Sequence, residues 1–358
     1  MMAGGTGGHV YPALAVAMEL MDRGYRIEWL GTARGLEERV IPRAGIPLHH
    51  LTVRGVRGKN ILHKLLGLVS LAIASVQALW LVLRLAPRCV VGMGGYASGP
   101  GGAAAWVLRK PLLIQEQNAV AGTTNRLLAP FARTVVAGFP GAFPAAIEYR
   151  VLGNPVRREL LVAGECLAYD YHGQRPLRLL VLGGSLGARP LNELVPSALR
   201  ELGARTGSDL VEVWHQTGEA HLHTVGEAYA GLAGMRVRLG DFIDDMVAAY
   251  CWADLVICRA GALTVSELAI MGRPALLVPL PHAIDDHQSA NARVLADVGA
   301  AQLLRQDTLD ADRLVGILRE LLADPQRLQA MAQAARAVAR PEATRAVSDC
   351  CEVLINAG

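Results

Sequence analysis

The chain states one local pattern twice: a short apolar run rich in β-branched residues, a glycine cluster, then a stretch of helical length. In the first half Ala3 leads into Gly4, Gly5, Gly7 and Gly8, followed by a helix expected over roughly Pro12 to Arg23, with Pro12 in its first turn. In the second half Leu179–Leu182 leads into Gly183, Gly184, Ser185, Leu186 and Gly187. Strands this short and this apolar, alternating with helices, need cover on both faces, which is the condition of a parallel sheet. The pattern predicts an α/β chain of two Rossmann-like domains. Further strands are expected at Ile27–Leu30, Cys89–Val91, Leu112–Ile114 and Val135–Val136, then at Val211–Trp214, Leu255–Ile257 and Ala275–Val278. A length of 358 residues also exceeds what one core usually serves. The breaker cluster Gly153-Asn154-Pro155, after the strand Val151–Leu152, places the boundary between residues 1–153 and 154–340. Open α/β sheets bind ligands at the carboxyl ends of their strands, so the cleft between the domains is the expected site.

Composition narrows the setting. With 52% apolar and 19% charged residues the chain is not disordered, and a net charge of +3 gives no reason to expect a nucleic-acid partner. Its six cysteines form no CxxC pair and read as thiols of a reducing cytoplasm. The opening Met1-Met2-Ala3 has neither the charged nor the apolar region of a signal peptide. It also leaves almost no strand before the first glycine turn, which predicts either a start placed late or a shortened first strand. Residues 65–83 carry no charge and approach the length that spans a bilayer. Because strands are expected on both sides of this segment, a spanning helix would split one sheet across the membrane. The alternatives are a buried helix and one that lays an apolar face on lipid, with Arg54, Arg57, Lys59, Lys64, Arg84 and Arg88 flanking it.

Several clusters carry chemistry. The turn Gly4–Gly8 lets backbone approach a ligand, and His9 stands at the head of the following helix, with a side chain type suited to proton transfer or to capping. Gly92-Met93-Gly94-Gly95-Tyr96 repeats the design after another strand. Gln115-Glu116-Gln117-Asn118 puts four polar side chains at a strand's carboxyl end, where amides hold sugar hydroxyls and Glu116 could act as a base or orient one. Gly183–Gly187 has the shape of a phosphate turn but lacks the lysine of an ATP-binding loop. Thr264 and Glu267 have capping-box spacing, and the same helix head would suit a diphosphate and ribose hydroxyls. Asp285, Asp286 and His287 raise the question of a metal, but adjacent aspartates chelate one ion poorly, and no metal or other cofactor is expected. Asp310-Ala311-Asp312 opens an amphipathic helix and reads as a cap.

Taken in order, GGTGGHVYPALA, GMGGYASGPGG, QEQN, GNPVR, GGSLGA, FIDDM, CRAGALTVSEL and DDHQSANA resemble the MurG family over essentially the whole chain. These are the N-acetylglucosamine transferases of lipid-linked peptidoglycan synthesis. The resemblance implies a GT-B fold with an N-terminal acceptor domain, a C-terminal donor domain, and a terminal helix within 341–358 crossing back onto the first. It implies donor contacts from Arg157, Ser185, Ile243, Ala262, Leu263, Thr264, Val265, Ser266, Glu267 and Gln288. Thr6, Gly7, Gly8 and Asn118 would reach the donor from the acceptor side. His9, Tyr96, Glu116 and Asn118 would serve acceptor handling or catalysis, with His9 and then Glu116 as candidate base. Gln115 departs from the family, standing where a histidine is common.

The implied partners are UDP-GlcNAc, lipid I and the cytoplasmic face of the cell membrane. Cell-wall synthesis and division proteins are further candidates, and the implied location is peripheral on the inner membrane. Three rivals share these features: a UDP-N-acetylglucosamine epimerase, a soluble glycosyltransferase with small acceptors, and a membrane-bound scaffold that binds nucleotide-sugar without turnover.

Overall fold

All strands of the computed structural model pair in parallel, as short apolar runs separated by helices require. The structure describes residues 1–33, 35–53, 61–166, 168–184, 186–232, 234–281 and 284–357, those at 61–66, 206, 208 and 284 by their backbone only. The chain divides into two compact units, one of residues 1–157 with 340–358 and one of residues 158–339.

The first unit holds β1 (Trp29–Gly31), β2 (Leu48–His50), β3 (Val90–Gly92), β4 (Leu112–Glu116), β5 (Thr134–Ala137) and β6 (Arg150–Val151). β1 pairs with β2, and β3 to β6 follow in sequence order. Met2 joins the two groups, bridging Leu30 on one side and Gly92 on the other. Leu30 N donates to Met1 O at 2.9 Å, and Met2 N donates to Val91 O at 2.8 Å. The brief run before the first glycine turn thus takes the place of an opening strand. Side chains alternate between faces with period two. Met2, Val90, Leu112, Ile114 and Val135 pack on one side with Ala74, Ala78, Leu81 and Val82. Ala3, Val91, Leu113 and Val136 pack on the other with Val10, Val16 and Leu20 of the helix Gly7–Asp22 and with Val347 and Leu354 of the helix Ala343–Asn356. Each fully buried aliphatic side chain contributes about 1.5–3 kcal/mol, so the two apolar layers, more than the short ladders, hold this sheet. Arg23 locks the terminal helix to the first, with Nη1 at 2.7 Å from both Asp349 and Glu352.

The second unit holds β7 (Leu177–Leu182), β8 (Val211–Gln216), β9 (Arg236–Gly240), β10 (Leu255–Cys258), β11 (Ala275–Leu277) and β12 (Ala301–Leu303). Their spatial order is β12-β11-β10-β7-β8-β9, the Rossmann order, which reverses between β7 and β10. Leu177, Leu179, Val181, Leu255 and Ile257 fill one face of this sheet.

Two local expectations change. The first helix begins at Gly7, so Pro12 lies inside it and not in its first turn. The missing Pro12 N–H forfeits only a bond to the Gly8 carbonyl in the first turn of the helix. The apolar segment is a helix over Ile61–Leu85. Its neighbours β2 and β3 belong to strand groups that Met2 joins, so the helix lies along one sheet and does not separate two halves of it.

Candidate active site

In both units the glycine turns fall at the point where strand order reverses. In the first, Gly4–Gly8 follows Met2–Ala3 and Met93–Tyr96 follows β3. The two turns touch: a Cβ on Gly95, whose φ is +83°, would stand 2.3 Å from Gly4 O. Thr6 is the N-cap of the Gly7–Asp22 helix and makes no side-chain cap bond. Gly7 and Gly8 open its first turn. His9 projects beside the second turn, where a Cβ on Gly94 would lie 2.9 Å from its Nδ1 and Cε1. Tyr96, next along, is exposed.

β4 runs two residues further than expected, so Gln115 and Glu116 are strand residues and are buried with Gln117. Gln117 Nε2 donates to Met93 O at 3.0 Å and to the side chain of Gln115. Its Oε1 therefore faces His9 Nδ1 at 2.9 Å. With an amide oxygen opposite, His9 must donate from Nδ1, which leaves the Nε2 lone pair to take a proton. The amide sets the tautomer.

Glu116 is differently placed. Its Oε1 accepts from Asn118 N at 2.9 Å and Asn118 Nδ2 at 3.0 Å, and its Oε2 from Gly122 N at 3.1 Å and Asn125 Nδ2 at 2.8 Å. Four donors occupy the carboxylate, so it shapes the loop that presents Asn118. Asn154 closes this layer, donating to Gln117 O at 2.9 Å and accepting from Gln115 Nε2 at 3.2 Å. Arg157 lies with the first unit, its guanidinium 5.5 Å from the centre of the Tyr11 ring.

In the second unit the turn after β7 is held by its neighbours. Gln216 Nε2 donates to Gly184 O at 2.8 Å, and a Cβ on Gly187 would stand 1.9 Å from Thr217 O. Ser185 lies outside the described residues. After β10 the helix Ala262–Met271 starts with Gly261 as N-cap and no side-chain cap bond. The capping box expected from Thr264 and Glu267 is therefore absent: Thr264 stands inside the helix, and the chain turns at Gly261, where no side chain obstructs it. Glu267 instead is buried and accepts from Tyr250 Oη at 3.0 Å, while Ser266 Oγ donates back to Ala262 O at 3.0 Å. Ala262 and Val265 are buried, Leu263 and Thr264 half-buried. Open amides at such a helix head attract anions. Ile243 is buried beyond β9. Gln288 Oε1 accepts from Leu280 N at 2.9 Å, and Asn291 Nδ2 donates to Ala260 O at 3.1 Å, tying the two loops together. Asp310 accepts from Arg313 N at 2.9 Å, as a cap does.

Two features escaped sequence reading. One is Glu37, a buried carboxylate under the first glycine turn. The other is a polar layer beneath the second: His215 Nδ1 meets Tyr229 Oη at 3.0 Å, His215 Nε2 meets Asn192 Oδ1 at 3.0 Å, and Asn192 Nδ2 donates to Thr217 O at 2.9 Å. Burial lowers the His215 pKa from 6.5 to about 3. The unfolded chain binds a proton below pH 6.5 that the folded chain refuses until about pH 3. Stability is therefore full above the ordinary histidine pKa and falls as pH drops below it, by about 1.4 kcal/mol per unit. Urea midpoints measured between pH 7.5 and pH 5 should show His215 contributing about 2 kcal/mol of the loss, and His215→Asn should flatten that part. Equal slopes in both proteins would show that the ring is not held neutral.

Two parallel-sheet units, each with a glycine turn at its switch point, are the architecture of the GT-B fold. The family model for the glycosyltransferase family 28 N-terminal domain matches residues 1–137, and that for the C-terminal domain matches residues 178–347. A transferase of Stutzerimonas stutzeri is 51% identical over 351 residues, covering 98% of this chain and 97% of the relative. It is named UDP-N-acetylglucosamine–N-acetylmuramyl-(pentapeptide) pyrophosphoryl-undecaprenol N-acetylglucosamine transferase. The crystal structure of Acinetobacter baumannii MurG superposes with a TM-score of 0.83 at 41% identity, covering 99% of this chain and 98% of that one. The chain belongs to glycosyltransferase family 28 and, within it, to the MurG transferases. A Listeria monocytogenes protein assigned as a UDP-N-acetylglucosamine 2-epimerase shares the fold at a TM-score of 0.66 and 17% identity, covering 100% of this chain and 96% of that one.

Proposed function

We propose that the protein transfers N-acetylglucosamine from UDP-GlcNAc to the 4-hydroxyl of the muramoyl-pentapeptide of lipid I, with inversion, giving lipid II. The observation that carries the chemistry is the Gln117 amide turned toward His9, which leaves His9 Nε2 as the proton acceptor. As the acceptor oxygen bonds to the anomeric carbon, its proton passes to His9 Nε2 and the bond from that carbon to the UDP oxygen breaks. Attack opposite the leaving group inverts the centre. Of the two candidate bases His9 is the better placed, because the Glu116 oxygens are engaged by the loop that presents Asn118. Tyr96 and Asn118 handle the acceptor, and Thr6, Gly7, Gly8 and Asn118 reach the donor sugar.

Residues 158–339 are assigned to the nucleotide. The amides at the head of the Ala262–Met271 helix and the Gly183–Gly187 turn receive the diphosphate, with Arg157 and Ser185 completing its contacts. Ile243, Leu263, Thr264, Val265, Ser266, Glu267 and Gln288 enclose the nucleoside. These groups stabilise the leaving diphosphate without calling on a metal ion. UDP release that depends on the lipid-linked acceptor is the test.

The acceptor is lipid-borne, and the first unit has a face suited to lipid. Leu68, Val69, Val76, Trp80 and Leu83 on the Ile61–Leu85 helix are exposed, as are Trp106, Leu127 and Phe131, while Ser70, Ala74 and Ala78 turn inward. Arg84 lies 5.0 Å from the Trp80 ring, and Arg88 and Arg109 are exposed. Arg54, Arg57 and Lys59 of the expected basic flank, and the side chain of Lys64, lie outside the described residues. This face is assigned to the cytoplasmic leaflet, which makes the enzyme a peripheral protein of the inner membrane, reachable there by cell-wall synthesis and division proteins. Each basic residue near an anionic surface contributes about 1 kcal/mol, so reversing Arg109 and Lys110 together should weaken binding to phosphatidylglycerol vesicles at least ~10-fold. Unchanged sedimentation with vesicles would remove the docking model.

A further inference from the structure

We propose that Glu37 is a positioning residue for the transfer, its carboxylate latching the Gly4–Gly8 turn and through it His9. Glu37 opens a four-residue helix, Glu37–Val40, far from the glycine turn in sequence, yet it is fully buried. Its Oε2 accepts from Gly5 N at 2.9 Å, and its Oε1 accepts from Thr32 N at 3.0 Å and Thr32 Oγ1 at 2.8 Å. The Gly5 carbonyl is taken as well, accepting from Leu36 N at 3.3 Å. Both backbone groups of Gly5 are thus held from the same short helix, two residues before the Gly7–Asp22 helix begins.

Three glycines make room for this carboxylate. A Cβ on Gly4 would stand 2.6 Å from Glu37 Oε1, one on Gly31 2.8 Å from Glu37 Cγ, and one on Gly35 1.9 Å from Glu37 Oε2. Gly4 and Gly31 therefore serve the internal latch. From the latch the order is passed on by close packing: Gly95 lies against the Gly4 backbone, and Gly94 packs against the His9 ring. One carboxylate under the first turn sets the height of both turns and the place of the imidazole.

The chemistry also selects glutamate over its amide. Both oxygens must accept, one from Gly5 N–H and the other from Thr32. In glutamine one end becomes an NH2 group, so in either orientation a donor faces a donor and a buried N–H is left without a partner. The side-chain volume stays the same. Displacing reacting groups by about 1 Å costs on the order of 10²-fold in rate.

The proposal rests on the reading of His9 as the base, and a double-mutant cycle separates the two. Glu37→Gln should lower kcat/KM for the lipid-linked acceptor by roughly 30-fold in the otherwise unaltered enzyme, and by less than about threefold when His9 is already alanine. A purely structural residue would lower both backgrounds by the same factor, and that result overturns the proposal. Thr32→Val removes one donor to Glu37 Oε1 and should cost a smaller factor, about three- to tenfold. It keeps the test open if Glu37→Gln fails to fold. Should His9→Ala leave turnover intact, the base assignment is lost. Glu37→Gln alone then decides: a rate loss in an enzyme that stays folded at the assay temperature retains the latch, and an unchanged rate refutes it.

Discussion

His9→Ala is expected to lower turnover by about 10³-fold while leaving UDP-GlcNAc affinity within about threefold of its starting value. The size follows from the loss of a positioned general base, whose contribution is typically 10²–10⁴-fold. The split follows from the geometry. The imidazole faces Gln117 and the second glycine turn in the first unit, whereas the groups assigned to the nucleotide, Arg157 apart, belong to the second. Gln117→Leu offers an informative companion, since it removes the amide oxygen opposite Nδ1 that fixes the tautomer and should lower turnover while leaving UDP-GlcNAc affinity near its starting value. Steady-state rates at saturating acceptor, together with UDP-GlcNAc titrations, measure both quantities. A turnover within a few-fold of the unaltered enzyme would remove His9 from the proton transfer.

The second large effect is expected at Gly187. Its φ is +76°, and a Cβ there would stand 1.9 Å from Thr217 O and 2.8 Å from Thr217 C. These are backbone atoms, themselves anchored by Asn192 at 2.9 Å, so the neighbour cannot give way as a flexible side chain would. The left-handed conformation alone costs about 1–3 kcal/mol for a residue with a side chain. Gly187→Ala should therefore displace the turn and weaken UDP binding by about 10²-fold, read by calorimetry. Gly231→Ala provides the control, because that glycine has nothing within 4 Å and should bind UDP normally. Ordinary UDP affinity in Gly187→Ala would mean that this turn does not hold the diphosphate.

How much of this was legible beforehand depended on burial. Most strands read from sequence, such as Leu112–Ile114 and Leu255–Ile257, lie inside their sheets, where both faces must be apolar; Val151–Leu152, beside its breaker cluster, is the one read at an edge. Those that went unread, β2, β9 and β12, are all edges. In Arg236–Gly240 charged residues alternate with apolar ones, so the run lacks the continuous apolar signal of an interior strand. The glycine turns and the polar cluster after β4 were legible because such residues at a strand's carboxyl end need a reason. The tautomer of His9 was not, since it depends on which way a single amide is turned. Glu37 was hidden for a different reason: a Glu-Glu pair at a helix start looks like a solvated face, and only the return of the chain brings Gly5 and Thr32 to it. The Thr264–Glu267 spacing misled because a helix start and a buried hydrogen bond can share the same interval. Gly261, needing no side-chain cap, set the start of the helix earlier.

The most direct test of the transferase reading is UDP release from UDP-GlcNAc, followed with and without lipid I in the presence of EDTA. Release that requires the acceptor and is unaffected by the chelator is the expected result. It would fit a base supplied by His9 and a leaving group stabilised by helix amides and Arg157. Release without acceptor, or conversion of the donor sugar alone, would contradict it and point to an epimerase built on the same fold.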